Sequence, residues 1–149
     1  MAWQLITTDN IKTRLAGAEI TALQESALAS GQADPLPEIV VAAVDEVRGY
    51  IAAAGRILEA GDKVPSRLIN ATLAIIRHRI ATRLPGRSFL NEDRIREYQD
   101  AIKLLEQVAA GKFAIEDVVT EDTEGTSGNS VQLAASSTRK ATRSKLDGL

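Results

Sequence analysis

A chain of 149 residues can bury one real core with little left for a second. With 44% hydrophobic but only 3% aromatic residues, that core is expected to be Ala, Leu, Ile and Val in packed helices. Having no cysteine excludes disulfides, thiolate metal sites and cysteine nucleophiles, and a formal net charge of −2 gives no support to bulk nucleic-acid binding.

Taken in order, Trp3, Leu5 and Ile6 form an apolar lead-in that should staple a first short helix to the core. Thr8 or Asp9 is placed to cap that helix, which carries Ile11 and Leu15 and ends at Gly17. A second short helix is predicted over residues 19–30, with Ile20, Leu23, Ala27 and Leu28 in line and Gly31 stopping it. Asp34 and Pro35 then read as N-cap and first helical residue of a long third helix. Its row is Leu36, Val40, Val44, Val47, Ile51 and Ala54, and Gly55 or Gly61 ends it.

Residues 65–84 form the stretch around which the rest should pack. Pro65 suits a first helical turn, and Pro85-Gly86 cannot continue a helix. Leu68, Thr72, Ile76, Ile80 and Leu84 recur at i+4 with Ile69 and Leu73 alongside, a broad apolar stripe. The other side is basic: Arg67, Arg77, His78, Arg79, Arg83 and Arg87 occur with no carboxylate between Lys63 and Leu90. A last long helix is capped by Asn91, favoured by Glu92 and Asp93 at its positive end, and closed by Gly111. Its row is Ile95, Tyr98, Ile102, Leu105 and Ala109. The fold class expected is all-α, a small bundle of three long and two short helices over residues 1–111, followed by an extended C-terminal arm over 112–149.

The arm is rich in Gly, Ser and Thr. It is acidic in its first half (Glu116, Asp117, Glu121, Asp122, Glu124) and basic at its end (Arg139, Lys140, Arg143, Lys145). Alone, such a segment buries too little apolar surface to offset about 1–2 kcal/mol of backbone entropy per residue. A neighbouring subunit or partner protein is the expected holder, and the opposite charges of its ends suit head-to-tail pairing of identical chains.

Chemistry is sparse. His78 is the one histidine and sits between two arginines that disfavour its protonation, which suits a structural residue better than a general base. The arm's carboxylates lack the glycine-pinned spacing of a calcium loop, and no phosphate-binding glycine motif occurs. The expectation is a non-enzyme with no cofactor and no metal. The arginines suit paired, solvated charge, an acidic surface on a neighbouring subunit, or passing nucleic acid whose phosphates attract guanidinium without base reading. A small helical DNA-binding regulator is the alternative, although Leu68, Ile69 and Leu73 stand where a recognition helix would be polar. No apolar run approaches the roughly 20 residues of a membrane helix, so no span, no signal peptide and no membrane partner are expected.

Tyr50-Ile51 at the end of the third helix, Leu68, Ala71, Ile75 and Arg77 after a proline, and Tyr98, Asp100, Ala101, Ile102, Leu105, Ala109 and Gly111 in the last helix form a pattern. With Arg139, Arg143, Leu146 and Gly148 in the tail, it resembles the small tailed-phage proteins of the Mu-like type, related to head–tail connector (adaptor, head-completion) proteins. The region of Gly55, Arg56 and Gly61 departs from it. The resemblance implies a virion protein of the head–tail neck, made in the host cytoplasm. It implies a homo-oligomeric ring, twelve-fold to match the portal protein, with a tail-side neck or tail terminator protein below and DNA passing non-specifically through the channel. On that reading Arg67, Arg77, Arg79, Arg83 and Arg87 face the channel or a neighbouring subunit. Arg139, Lys140, Arg143, Lys145, Leu146 and Leu149 belong to an arm that grips a partner.

Overall fold

Helix punctuation is local, and the structure follows most of it. The structure is a computed structural model that describes residues 2–15, 17–84 and 89–118. The expectations for Arg87 and for Arg139, Lys140, Arg143, Lys145, Leu146 and Leu149 lie outside the described residues. Within them the chain is mostly helical, with five α-helices and one two-stranded sheet. The order is β1 (Trp3–Leu5), α1 (Thr8–Lys12), α2 (Gly17–Ala29), α3 (Leu36–Ala53), β2 (Lys63–Pro65), a 3-10 turn (Ser66–Leu68), α4 (Ile69–Arg83) and α5 (Glu92–Ala109).

Three glycines close helices by the same device. At Gly31, Gly55 and Gly111 φ is near +70°, conformations a Cβ would strain. At the end of α5 the Gly111 N–H bonds Val108 O at 2.9 Å and the Lys112 N–H bonds Gln107 O at 2.8 Å. That paired pattern is a Schellman closure, and it recurs at Gly31 and Gly55. Gly17 differs from expectation: α1 has already stopped at Lys12, and Gly17 opens α2. The α1 cap is Thr7 rather than Thr8 or Asp9, because its side chain reaches the Asn10 N–H and leaves Asp9 in the first turn, where a carboxylate suits the dipole. Helix α3 has Pro35 as its N-cap and starts at Leu36, one residue later than expected, while Asp34, just before the cap, accepts from the Leu36 N–H through Oδ1 at 3.0 Å.

The core is aliphatic. Val44, Val47 and Ile51 of α3 meet Ile75, Ile76 and Ile80 of α4 and Leu105 and Val108 of α5, all at most 2% exposed. Helix α4 is the centre, packed on α5, α3 and α2. It is less amphipathic than its sequence suggested, since every residue from Ala71 to Ile76 is buried. A helix enclosed by three others must be apolar nearly all round. Buried Thr72 satisfies its hydroxyl by donating to Leu68 O at 2.9 Å. Pro65 lies in β2 instead of opening this helix, which begins at Ile69 after the 3-10 turn. Leu28, assigned to the inner row of α2, is 73% exposed. It stands about 100° round the helix from Ala27, which takes the inward place.

Two features had no counterpart in the sequence reading. Strand β1 pairs antiparallel with β2, Gln4 opposite Val64, and buries Trp3 and Val64. The packed unit also runs to Val118 rather than ending at Gly111. Ile115 is buried, and Phe113 and Val118 pack against the core, so the first residues of the expected arm belong to the bundle.

Candidate functional site

The arginines of the central helix were the candidate site, and the structure disperses them. An α-helix advances about 100° per residue, so Arg79 and Arg83 lie close in azimuth while Arg77 projects to the opposite side. Arg77 meets Glu97 of α5 at 3.0 Å, and Arg79 meets Glu46 of α3 at 2.5 Å. Both are half-buried. Each ties α4 to a different neighbour, and the charge read as an open basic face is spent within the subunit. Arg83 is exposed in the last turn of α4. Arg67 precedes α4 and turns to the segment after α5, donating to Ala114 O at 3.0 Å with its Nε 3.8 Å from Glu116 Oε1.

Around Glu116 three distant parts of the chain converge. Its Oε1 accepts from Ser66 Oγ at 2.9 Å, and its backbone carbonyl accepts from the indole Nε1 of Trp3 at 3.2 Å. Next to it, Asp117 pairs with Arg56 at 2.6 Å. Glu116 and Asp117, which the sequence places in the acidic half of an extended arm, are thus anchors for residues 112–118. The Arg56 contact also gives the loop after α3 a structural partner.

A buried ion pair completes the polar framework. Glu19 of α2, 3% exposed, accepts from Arg94 Nη2, and Arg94 Nη1 donates to Phe89 O at 2.7 Å. The sequence carried one usable signal for it: Glu19 stands in register with Leu23 and Ala27, and a carboxylate in an apolar i+4 row demands a buried cation.

His78 stacks on Tyr98 of α5, ring centroids 4.0 Å apart and planes 13° from parallel. Burial, aided by the neighbouring Arg79 guanidinium, holds its imidazole below the ordinary histidine range. The ring is a neutral aromatic brace between α4 and α5. Among the described residues no group of three or more His, Asp or Glu is placed to hold a metal ion. None of their helices is long and apolar enough to cross a membrane. Ala71 to Ile76 are buried, which leaves α4 unable to serve as a DNA-reading helix.

A further concavity lies away from these residues. A groove of about 350 Å³ is bounded by the residue after β1, by α1, by α2 and by the first turns of α3, lined by Ile6, Ile11, Leu36 and Val40 with Val41 at its lip. Gln24 and Asp34, hydrogen-bonded to each other at 2.8 Å, stand at its wall.

No curated protein and no solved structure matches the chain. A family model described as "Bacteriophage Mu, Gp36" matches residues 6–134, spanning helices α1 to α5 and continuing past the packed unit. The chain belongs to the bacteriophage Mu Gp36 family and is a Mu-like phage protein.

Proposed function

We propose that this protein is a structural head–tail connector, or adaptor, that forms a ring of identical subunits beneath the portal at the virion neck. The observation that carries the reading is the family match over residues 6–134 on a unit whose polar contacts serve packing. Arg77–Glu97, Arg79–Glu46, Arg94–Glu19 and the Glu116 cluster each join one helix or chain end to another. A subunit of this kind is a rigid block, and its work lies on its surfaces and in the sequence after Val118. Residues 119–149 are the assembly segment in this reading, with the basic end (Arg139, Lys140, Arg143, Lys145) engaging the portal and the ring numbering twelve to match it. DNA passes through the ring without base-specific contact, a tail-side neck or terminator protein docks below, and the protein has no catalytic role. Arg77 and Arg79 are removed from the set that would line the channel, since their charge is neutralised inside the subunit.

Light scattering on the purified protein, alone and with the portal protein of the same phage, tests the proposal. Rings, or capture by the portal, are expected, and deletion of residues 137–149 should abolish capture while leaving the helical circular dichroism unchanged. A protein that stays monomeric and ignores the portal refutes it.

A further inference from the structure

The groove at the start of α3 is apolar, and at its lip Val41 is 49% exposed. Its volume of about 350 Å³ falls within the ~300–1,000 Å³ of ordinary binding pockets. The sequence supplies a matching occupant. The family match continues beyond the packed unit, which ends at Val118, and stops at residue 134. The last residues matched are Val131, Gln132, Leu133 and Ala134, the one run in residues 120–149 that puts two large aliphatic side chains in alternate positions. Read with a period of two, Val131 and Leu133 share a face, and Gln132 takes the other.

We infer that residues 131–134 of one copy dock in the groove formed by Ile6, Ile11, Leu36, Val40 and Val41 of the next copy. The inference rests on the reading that copies of this chain assemble side by side. Chain length permits it: from residue 118 to residue 131 a fully extended chain spans at most about 45 Å, whereas a packed unit of this size is about 35 Å across. Docking of this type is heterologous, the segment of each subunit meeting a different surface on its neighbour, a connectivity that gives a ring when the rotation between copies closes. At the groove wall Gln24 donates to Asp34 and Asp34 also accepts from the Leu36 N–H, so the backbone of an extended segment would meet the remaining lone pairs and the second Nε2 hydrogen of this pair.

The natural absence of cysteine makes the test direct. Full-length Val41→Cys and Leu133→Cys are mixed and treated with a short bismaleimide. The expected result is a covalent dimer of about twice 16.0 kDa that requires both variants. A tenfold excess of a synthetic peptide of residues 129–136 should suppress it several-fold, and the same peptide carrying Leu133→Asp should not. No cross-link overturns the inference, as does a dimer formed equally by Val41→Cys alone. A link that forms only within single molecules of the doubly substituted chain, unaffected by dilution, overturns it too. The ring and portal readings fail separately. Undiminished rings in Leu133→Asp would sink the groove contact and leave the neck role standing, whereas cross-linking without portal capture would do the reverse.

Discussion

The indole Nε1 of Trp3 donates to the carbonyl of Glu116 across 113 residues, so the first strand and the last packed residues of the unit are held by one another. Trp3 also lies in β1 against β2, and Ser66, just past β2, donates to the carboxylate of that same Glu116. Replacing Trp3 with Phe keeps most of the burial and removes the hydrogen bond, with an expected loss of about 1 kcal/mol. Trp3→Ala empties the site and should cost about 3–5 kcal/mol. Urea titrations followed by far-UV circular dichroism check both, and a Trp3→Phe midpoint equal to that of the native chain would refute the hydrogen bond as a separate contribution.

The Arg79–Glu46 and Arg77–Glu97 pairs are partly exposed, so screening limits each to a coupling of about 0.2–1 kcal/mol in a double-mutant cycle. They also make a claim about DNA. If both guanidiniums are spent inside the subunit, Arg77→Gln with Arg79→Gln leaves the salt dependence of any DNA binding by the assembled protein unchanged. Loss of phosphate contacts would instead reduce the slope of log K against log salt by about 0.9 per contact. Binding isotherms at several salt concentrations separate the two.

Glu19 and Arg94 form the most buried pair, and removing one partner strands the other. Glu19→Ala is expected to lower stability by about 3–5 kcal/mol, which is a large share of a small domain's total. Glu19→Leu with Arg94→Met should recover much of the loss, because an apolar pair of similar volume carries no desolvation penalty. Denaturant midpoints of the three proteins decide it; a double variant no more stable than Glu19→Ala would refute the account.

At Gly111 φ is +69° and the space where a Cβ would sit is open, so the cost of Gly111→Ala is backbone strain alone. About 1–2 kcal/mol is expected for a left-handed alanine. Gly49, which lies within α3 and also has open space, is the control: Gly49→Ala should stabilise by up to about 1 kcal/mol. Thermal unfolding that moved both variants the same way would contradict this contrast.

These contrasts also show which parts of the fold were legible in the sequence. Gly31, Gly55, Gly111, Asn91 and Asp34 act on amides and carbonyls within a few residues, so their meaning is local and the sequence displays it. The pairing of β1 with β2 is invisible for the opposite reason. Two three-residue strands some sixty residues apart have no pattern of their own and exist because Trp3 and Val64 are buried together. The arginines were legible in part: paired charge was one of the readings they suited, and the structure pairs Arg67, Arg77 and Arg79. A sequence shows that Arg77 and Arg79 are basic, but Glu97 and Glu46 come to them only through the packing of α5 and α3 on α4. The unit's end at Val118 was hidden because the composition changes at Lys112, whereas the packing ends only after Ile115 and Glu116 have been used.

His78 supplies the pH dependence. Burial and Arg79 depress its pKa in the folded state, while the unfolded chain titrates near 6.5. Above about pH 6.5 both states are neutral and the contribution is complete. As pH falls below 6.5 the unfolded chain takes up a proton that the folded chain resists, so stability declines until the pH passes the depressed folded value. Replacing His78 with Phe preserves an aromatic partner for Tyr98 and removes the titration. The difference in unfolding free energy between the native chain and His78→Phe, measured in urea from pH 7.5 down to pH 5, should be constant above pH 6.5 and shift in favour of the variant below it. A difference that stays flat across the whole range would show that His78 has the same pKa in both states and that the stack with Tyr98 leaves the ring open to solvent.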